Sequence, residues 1–167
     1  MADSPPDWNG IVEKHAERVF RIAYRILGSV HDAEDASQIV FAEAFKLHQR
    51  GPVQTWTGLL VRLSTLRSID QLRTRKESVQ LSERDQTSAL EPVDDAVGRE
   101  LAHWLRDATG NLPKQQAAVF SLTHYEQLGR NEVAAILSIS PESVSSALHK
   151  ARKSLQSQLN VLNGGAR

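Results

Sequence analysis

The residues with the clearest chemical capacity are five cations that lie close together in the chain. They fall within fifteen residues in which Asp70 is the only acid: Arg62, Arg67, Arg73, Arg75 and Lys76. Cations at this density suit a phosphate backbone, because each one that neutralises a phosphate releases condensed counterions. Such contacts give salt-dependent affinity without sequence information. An alternative for Arg73 is an intrahelical ion pair with Asp70, three residues earlier.

Trp56 shortly precedes these cations, and two interpretations of its side chain stay open. An indole beside a basic groove stacks on the unpaired bases of single-stranded DNA. A buried indole instead fills the core beneath the preceding loop. Both are compatible with a position just before a predicted helix, so the packing has to decide between them.

Residues for other chemistry are scarce. Cysteine is absent, and the six histidines lie at positions 15, 31, 48, 103, 124 and 149 without metal-ligand spacing such as HExxH. The chain has no phosphate-cradling glycine loop. Asp32, Glu34 and Asp35 could be imagined as acid–base carboxylates, but acids this close to a helix start more simply complement its dipole. We therefore expect no enzymatic activity, no cofactor and no metal site.

A second basic element follows a helix-turn-helix pattern in residues 112–155. Ala134 is small where two helices must cross closely, Ile139 fills the turn, and Val144 and Leu148 lie one helical turn apart. Ser140 is a good N-cap before Pro141 at the first helical position. The pattern predicts a recognition helix whose N-terminal side chains enter a major groove. The alternative is an ordinary helical corner packed into a core.

Apolar periodicity predicts helices throughout and no strand, so the expected fold is all-α. The first predicted helix ends at Gly28, the second runs from the acids at 32–35 to Gly51, and Thr55 caps the third. Further helices are predicted around 97–108 and 112–125, before the helix-turn-helix. Residues 8–76 and 97–160 are expected to form two small helical domains.

Charge along the chain matches this division. The net charge is zero, but residues 12–76 carry +4 and residues 101–167 carry +3, while residues 77–100 carry −5. Residues 77–96 lack a sustained apolar period and are predicted to be an acidic flexible linker. No segment resembles a signal peptide or a membrane span, so we expect a cytoplasmic protein.

Both basic blocks resemble the extracytoplasmic-function (ECF) sigma factors of bacterial RNA polymerase. The first carries DAED-x-x-Q-x-VF and R-x-x-x-x-x-x-x-D-x-L-R, as in sigma domain two. The second carries LP-x-x-Q, VF-x-L, E-x-A-x-IL-x-IS and V-x-S-x-L-x-x-AR in order, as in sigma domain four. The resemblance covers nearly the whole chain and implies a non-enzymatic transcription initiation factor that binds core RNA polymerase and promoter DNA.

The resemblance also implies residue roles. The DAED helix would dock on the polymerase through Asp32, Glu34, Asp35 and Gln38. The segment from about Lys46 through the third helix would melt and hold the minus-ten element, with contacts from Trp56, Arg62, Arg67, Arg73, Arg75 and Lys76. The recognition helix would meet the minus-thirty-five element through Ser143, Ser145, Ser146, His149, Lys150 and Lys153.

Several residues depart from the family pattern. Ile39 stands where an acid usually follows Gln38 and removes a charge from the surface expected to face polymerase. Ser145 and Ala147 occupy places where Lys and Arg are frequent, which predicts two missing DNA contacts. Ser138 lies in the helix-turn-helix turn where Gly is usual, and a Ser held at positive φ would cost on the order of 1 kcal/mol.

Three functional hypotheses follow. The first is a working sigma factor that gives core polymerase its promoter specificity and is held inactive by an anti-sigma factor. The second is a sigma-like module or decoy that binds a regulator without productive promoter recognition, which the two missing cations motivate. The third is an autonomous DNA-binding repressor that uses the helix-turn-helix alone.

Overall fold

The protein is entirely helical over the part of the chain that the structure, a computed structural model, describes. That part is residues 7–78 and 96–164, without the side chains of 76–78. It contains seven helices and no strand, which confirms the all-α prediction: α1 Trp8–Leu27, α2 Val30–Arg50, α3 Trp56–Ser78, α4 Ala96–Gly110, α5 Lys114–His124, α6 Arg130–Leu137 and α7 Pro141–Gly164. Most of the predicted linker lies outside the described residues.

The helix ends follow from local residue chemistry. Gly28 adopts φ +68°, and its N–H donates to the carbonyl of Tyr24 at the end of α1. The side chain of Ser29 accepts a hydrogen bond from the N–H of Asp32 at 3.3 Å, and Thr55 does the same for Gly58 at 3.3 Å. These caps satisfy backbone groups that a helix end leaves unpaired. At the end of α2, the N–H of Gly51 donates to the carbonyl of His48. The predicted ends at Gly28 and Gly51 and the predicted cap at Thr55 are therefore confirmed.

Helices α1–α3 form an N-terminal module and helices α4–α7 a C-terminal module. In the N-terminal module, Ile69 and Leu72 of the central helix α3 are at most 1% exposed. The C-terminal module buries Leu122, Val133 and Val144, all at most 1% exposed. The two predicted domain ranges stay a prediction, but the helices group in the same order along the chain.

The two modules pack against each other through one continuous apolar core. Ile22 and Leu27 of α1 belong to the same buried cluster as Val119 and Leu122 of α5 and Ala151 of α7. Helix α3 contacts α4, α5 and α6. The arrangement is therefore compact, a feature that the predicted linker did not indicate.

Polar contacts cross the same boundary. Arg25 of α1 donates to the carbonyl oxygen of Tyr125 at 2.7 Å and to the carboxylate of Glu126 at 3.1 Å. The side chain of Glu126 is only 6% exposed and also lies 3.9 Å from Arg18. Arg106 of α4 is buried and donates to the carbonyl of Arg25 at 3.1 Å. Because burial disfavours its charged form, the pKa of Arg106 is lowered.

The helix-turn-helix has the predicted internal packing. Val133, Ala134 and Val144 are buried where α6 crosses α7, and Ile139 packs against the core. Ser138, the residue after α6, has φ 56° and ψ 43°, and its N–H donates back to the α6 carbonyls. The expectation of a positive φ at this turn is therefore confirmed.

Replacing Ser138 by Gly is expected to raise the free energy of unfolding by roughly 0.5–1 kcal/mol, because Gly adopts positive φ without strain. Thermal denaturation followed by circular dichroism measures the change. The control is Ser146→Gly in the interior of α7, which is expected to lower stability by roughly 0.5–1 kcal/mol. A loss of stability at both positions would contradict strain at Ser138.

Candidate nucleic-acid interface

Helix α7 has a polar outward side, on which most of the residues predicted to meet the minus-thirty-five element lie. The side-chain oxygen of Ser140 accepts from the N–H of Ser143 at 3.1 Å, which caps the helix before Pro141. Val144, Ala147 and Ala151 are buried along one side of the helix, and most of the polar residues between them lie on the other side. Among the predicted minus-thirty-five residues, Ser143 is half-buried and the others are exposed: Ser145, Ser146, His149, Lys150 and Lys153.

Ala147 corrects one expectation. It was predicted to mark a missing DNA-contacting cation, but its side chain is 7% exposed and belongs to the core. A long cation here would have to displace that packing. Position 147 is therefore a packing position, and of the two missing contacts only the one at Ser145 lies on the outward face.

Two exposed cations near this face were not predicted. Arg152 lies on the outer side of α7. Arg130, the first residue of α6, donates to the side-chain oxygen of Ser145 at 3.2 Å. The signal for Arg130 is hard to find in the sequence, because it precedes Ser145 by fifteen residues and meets it only when the two helices cross.

The cations predicted to meet the minus-ten element fall into two groups. Arg62 and Arg73 are exposed on α3. Arg75 donates to the carboxylate of Asp32 and to the carbonyl of Leu27, both at 2.9 Å. The side chain of Lys76 lies outside the described residues. Only Arg62 and Arg73 therefore present exposed charge among the members of this set that the structure describes.

Arg67 is the centre of an ion-pair network. Its guanidinium makes a two-pronged contact with Glu43 of α2, one bond being 2.7 Å long, and also donates to Asp70 at 2.9 Å. These contacts raise the pKa of Arg67, and the hydrogen bond from Arg67 lowers the pKa of Glu43. Arg67 is thus engaged in joining α2 to α3.

Asp70 does not pair with Arg73, which was the alternative considered from the sequence, but with other cations. In the described residues Asp70 accepts from Arg67, and its other oxygen lies 2.7 Å from the ammonium group of Lys114. Lys114 belongs to α5, so Asp70 joins the two modules. Arg73 is left exposed.

Trp56 packs within an aromatic cluster. Its ring lies 5.8 Å from that of Trp8 and 5.4 Å from that of His48, measured between centroids. It also packs against a smaller apolar cluster of the N-terminal module, separate from the shared core, that includes Val40 and Leu60. The half-buried ring therefore matches the core interpretation, and a base-stacking role stays a prediction.

Helix α2 carries the four residues predicted to bind polymerase. Glu34, Asp35 and Gln38 are exposed, while Asp32 is half-buried in its contact with Arg75. Ile39, at the position where an acid was expected, is 52% exposed. This surface therefore combines acidic and apolar groups.

Sites of other kinds do not emerge from the described ranges. Across residues 7–78 and 96–164, no three His, Cys, Asp or Glu side chains are grouped so as to hold a metal ion. In those ranges no helix has both the length and the apolarity that crossing a bilayer requires. The exposed cations and polar groups of α3 and α7 remain the principal candidate site.

Family comparisons agree with this pattern of two basic helices in two modules. Residues 11–78 match the model of sigma-70 region 2, and residues 102–155 match that of sigma-70 region 4. The chain belongs to the sigma-70 family. The region 2 match contains α3 and precedes the region 4 match, which contains the helix-turn-helix. This is the order of the domain-two and domain-four motifs in the sequence.

Curated relatives of this sigma-70 family chain are ECF sigma factors. It is 31% identical to ECF RNA polymerase sigma factor SigE of Mycolicibacterium smegmatis over 92% of its own length and 62% of the relative. It is 27% identical to ECF RNA polymerase sigma factor SigW of Bacillus subtilis, over 91% of its length and 88% of the relative. The predicted ECF resemblance is confirmed. Sigma factors are transcription initiation factors and not enzymes.

Solved structures share the fold. A TM-score of 0.59 relates the chain to CnrH in complex with the cytosolic domain of CnrY, at 17% identity over 92% of this chain and 88% of that one. The same score relates it to the sigma factor RpoE of Bartonella quintana, in complex with the anti-sigma factor NepR, at 19% identity over 94% and 99%. At these identities the likeness concerns the fold alone.

Proposed function

We propose that this sigma-70 family chain binds core RNA polymerase and directs promoter-specific transcription initiation. The observation that carries the proposal is the presence in one chain of two exposed basic faces on separate modules. Arg62 and Arg73 lie on α3, and the outward face of α7 carries His149 and Lys150. Two such faces suit a promoter with two separate elements. The first would meet the minus-ten element and the second the minus-thirty-five element.

The outer surface of α2 is the proposed polymerase contact. Glu34, Asp35 and Gln38 are exposed along two successive helical turns, and Ile39 adds an apolar patch beside them. A mixed acidic and apolar surface is suited to a basic partner helix, because charge guides the approach and apolar burial adds affinity. A cytoplasmic location and control by an anti-sigma factor belong to the same proposal. Control by an anti-sigma factor is supported by the similarity of the fold to that of RpoE, which was solved in complex with the anti-sigma factor NepR.

The compact arrangement imposes a condition on promoter binding. Helix α5 packs against both α3 and α7, so the axes of α3 and α7 lie within about 20 Å of each other. The two promoter elements are about 25 base pairs apart, or about 85 Å along B-DNA at about 3.4 Å per base pair. One compact molecule cannot reach both elements. The two modules therefore have to separate when the holoenzyme binds the promoter.

Run-off transcription with purified core polymerase tests the proposal. Holoenzyme formed with this chain is expected to initiate at a subset of promoters that core polymerase alone ignores. A holoenzyme that forms but initiates at none would instead favour the decoy hypothesis. A specific footprint by the free protein would favour the repressor hypothesis.

Replacing Arg73 by Glu is expected to reduce promoter opening by at least about tenfold while core polymerase binding changes little, since Arg73 is exposed on the DNA-facing helix and not on α2. Permanganate reactivity of the melted bases measures opening, and fluorescence anisotropy measures polymerase binding. Arg21→Glu, an equal charge change at an exposed position of α1, is the control. Equal losses in both assays would contradict the role of Arg73.

A further inference from the structure

The part of α7 expected to enter the DNA groove carries no cation. Its first two turns, residues 141–148, contain Glu142 as their one charged residue, and the cations begin at Lys150. Ser145 lies in the middle of this stretch and is exposed. A groove-facing helix end with a net negative charge is poorly matched to the phosphates on either side.

Arg130 brings a positive charge to this end of α7 from the neighbouring helix. One terminal nitrogen of its guanidinium donates to the side-chain oxygen of Ser145 at 3.2 Å, and both side chains are exposed. No acidic side chain pairs with Arg130 within the two described ranges. A guanidinium has five N–H donors, so the bond to Ser145 leaves others available.

We infer that Arg130, oriented by Ser145, contacts a backbone phosphate of the minus-thirty-five element and supplies the charge that position 145 lacks. The inference rests on the proposed function. A phosphate is the partner that the geometry favours over a base edge, because the first helix of a helix-turn-helix crosses the DNA backbone while the second enters the groove. Arg130 is the first residue of that first helix.

The test measures promoter binding by reconstituted holoenzyme over a range of KCl concentrations. One phosphate contact contributes roughly 0.9 to the salt slope, which corresponds to roughly eightfold in affinity at about 0.1 M salt. Arg130→Ala is therefore expected to weaken binding about eightfold and to reduce the slope by about one, equally on all minus-thirty-five sequences. Arg99→Ala, which removes an exposed cation from α4, is the matched control and is expected to leave both unchanged.

Two further variants separate charge from positioning. Ser145→Ala keeps Arg130 but removes its acceptor, and a smaller loss of affinity with an unchanged slope is expected. Ser145→Arg in the Arg130→Ala background restores a cation at the position itself, and recovery of the slope is expected. The ellipticity of each variant is compared with that of the original protein to exclude unfolding.

Three outcomes would overturn the inference. These are an unchanged salt slope in Arg130→Ala, a loss confined to particular minus-thirty-five sequences, and a slope that Ser145→Arg fails to restore. Failure of the proposed function is distinguishable, because the original holoenzyme would then bind intact and scrambled minus-thirty-five elements equally. In that case the defect would be present before any substitution is made.

Discussion

Replacing Glu126 by Lys is expected to separate the two modules. The carboxylate of Glu126 is 6% exposed and faces the guanidinium groups of Arg25 and Arg18. Reversing its charge would place an ammonium group beside the guanidinium groups of Arg18 and Arg25, at a position that solvent hardly reaches. The two arginines are 35% and 40% exposed, so solvent screening keeps the cost below the roughly 3–5 kcal/mol of a pair buried on both sides. The shared apolar core, the Asp70–Lys114 contact and the hydrogen bond from Arg106 then have to hold the modules together without this ion pair.

Small-angle X-ray scattering measures the separation. A compact chain of 167 residues has a radius of gyration of about 15 Å, and Glu126→Lys is expected to raise it by several ångströms while helical circular dichroism is retained. Glu13→Lys, the same charge change at an exposed position of α1, is expected to leave the radius unchanged. If Glu126→Lys proves too unstable to measure, Glu126→Gln gives the same test with a smaller perturbation. An unchanged radius of gyration in both variants would show that Glu126 does not hold the two modules together.

Module separation also has a functional consequence. The compact arrangement must open when the holoenzyme binds the promoter, and a variant that is already open avoids part of that cost. Holoenzyme carrying Glu126→Lys is therefore expected to bind the promoter at least as tightly as the original holoenzyme. Weaker binding by a folded variant would indicate that the compact form itself is the one that binds.

Replacing Gly28 by Ala is expected to lower the free energy of unfolding by roughly 2–4 kcal/mol, for two reasons. Gly28 has φ +68°, where a residue with a Cβ atom costs roughly 1–2 kcal/mol. A Cβ atom there would also lie 2.9 Å from the guanidinium of Arg106. Arg106 is buried and bonded to the carbonyl of Arg25, so moving aside costs packing and a hydrogen bond.

Urea denaturation of matched variants measures the two contributions. Gly51→Ala is the control, because Gly51 has φ 171° and a Cβ atom there would meet nothing within 4 Å. It is expected to be neutral or slightly stabilising. In an Arg106→Ala background, Gly28→Ala is expected to cost only the conformational part, roughly 1–2 kcal/mol. An equal cost in both backgrounds would show that Arg106 does not crowd Gly28.

Local chemistry made the helix ends and the recognition helix predictable. Ser140 before Pro141, Thr55 before α3 and Gly28 after α1 act through contacts within a few residues, so the chain carries these signals in short stretches. The positive φ of Ser138 was predictable for the same reason. The family motifs extend this local information to the proposed site residues.

Pairings between distant residues were not predictable. Arg67 and Arg75 looked equivalent to Arg62 and Arg73, but the first two are held by Glu43 and Asp32 on another helix. Composition does not say which cation meets an acid, because that depends on how α2 and α3 cross. The prediction for Ala147 was wrong for a related reason. Sigma factors often carry a cation at this position, which suggested an exposed side chain, but in this chain the position faces the core.

The sequence by itself determined that the chain is helical, that its two basic blocks carry sigma-type motifs, and that its recognition helix begins at Pro141. These properties depend on periodicity, caps and motif order along the chain. Only the tertiary structure decided that the modules share one core, that Glu126 is buried between Arg18 and Arg25, and that Arg130 reaches Ser145. Such contacts join residues far apart in sequence, and no local propensity encodes them because they exist only once the helices have packed.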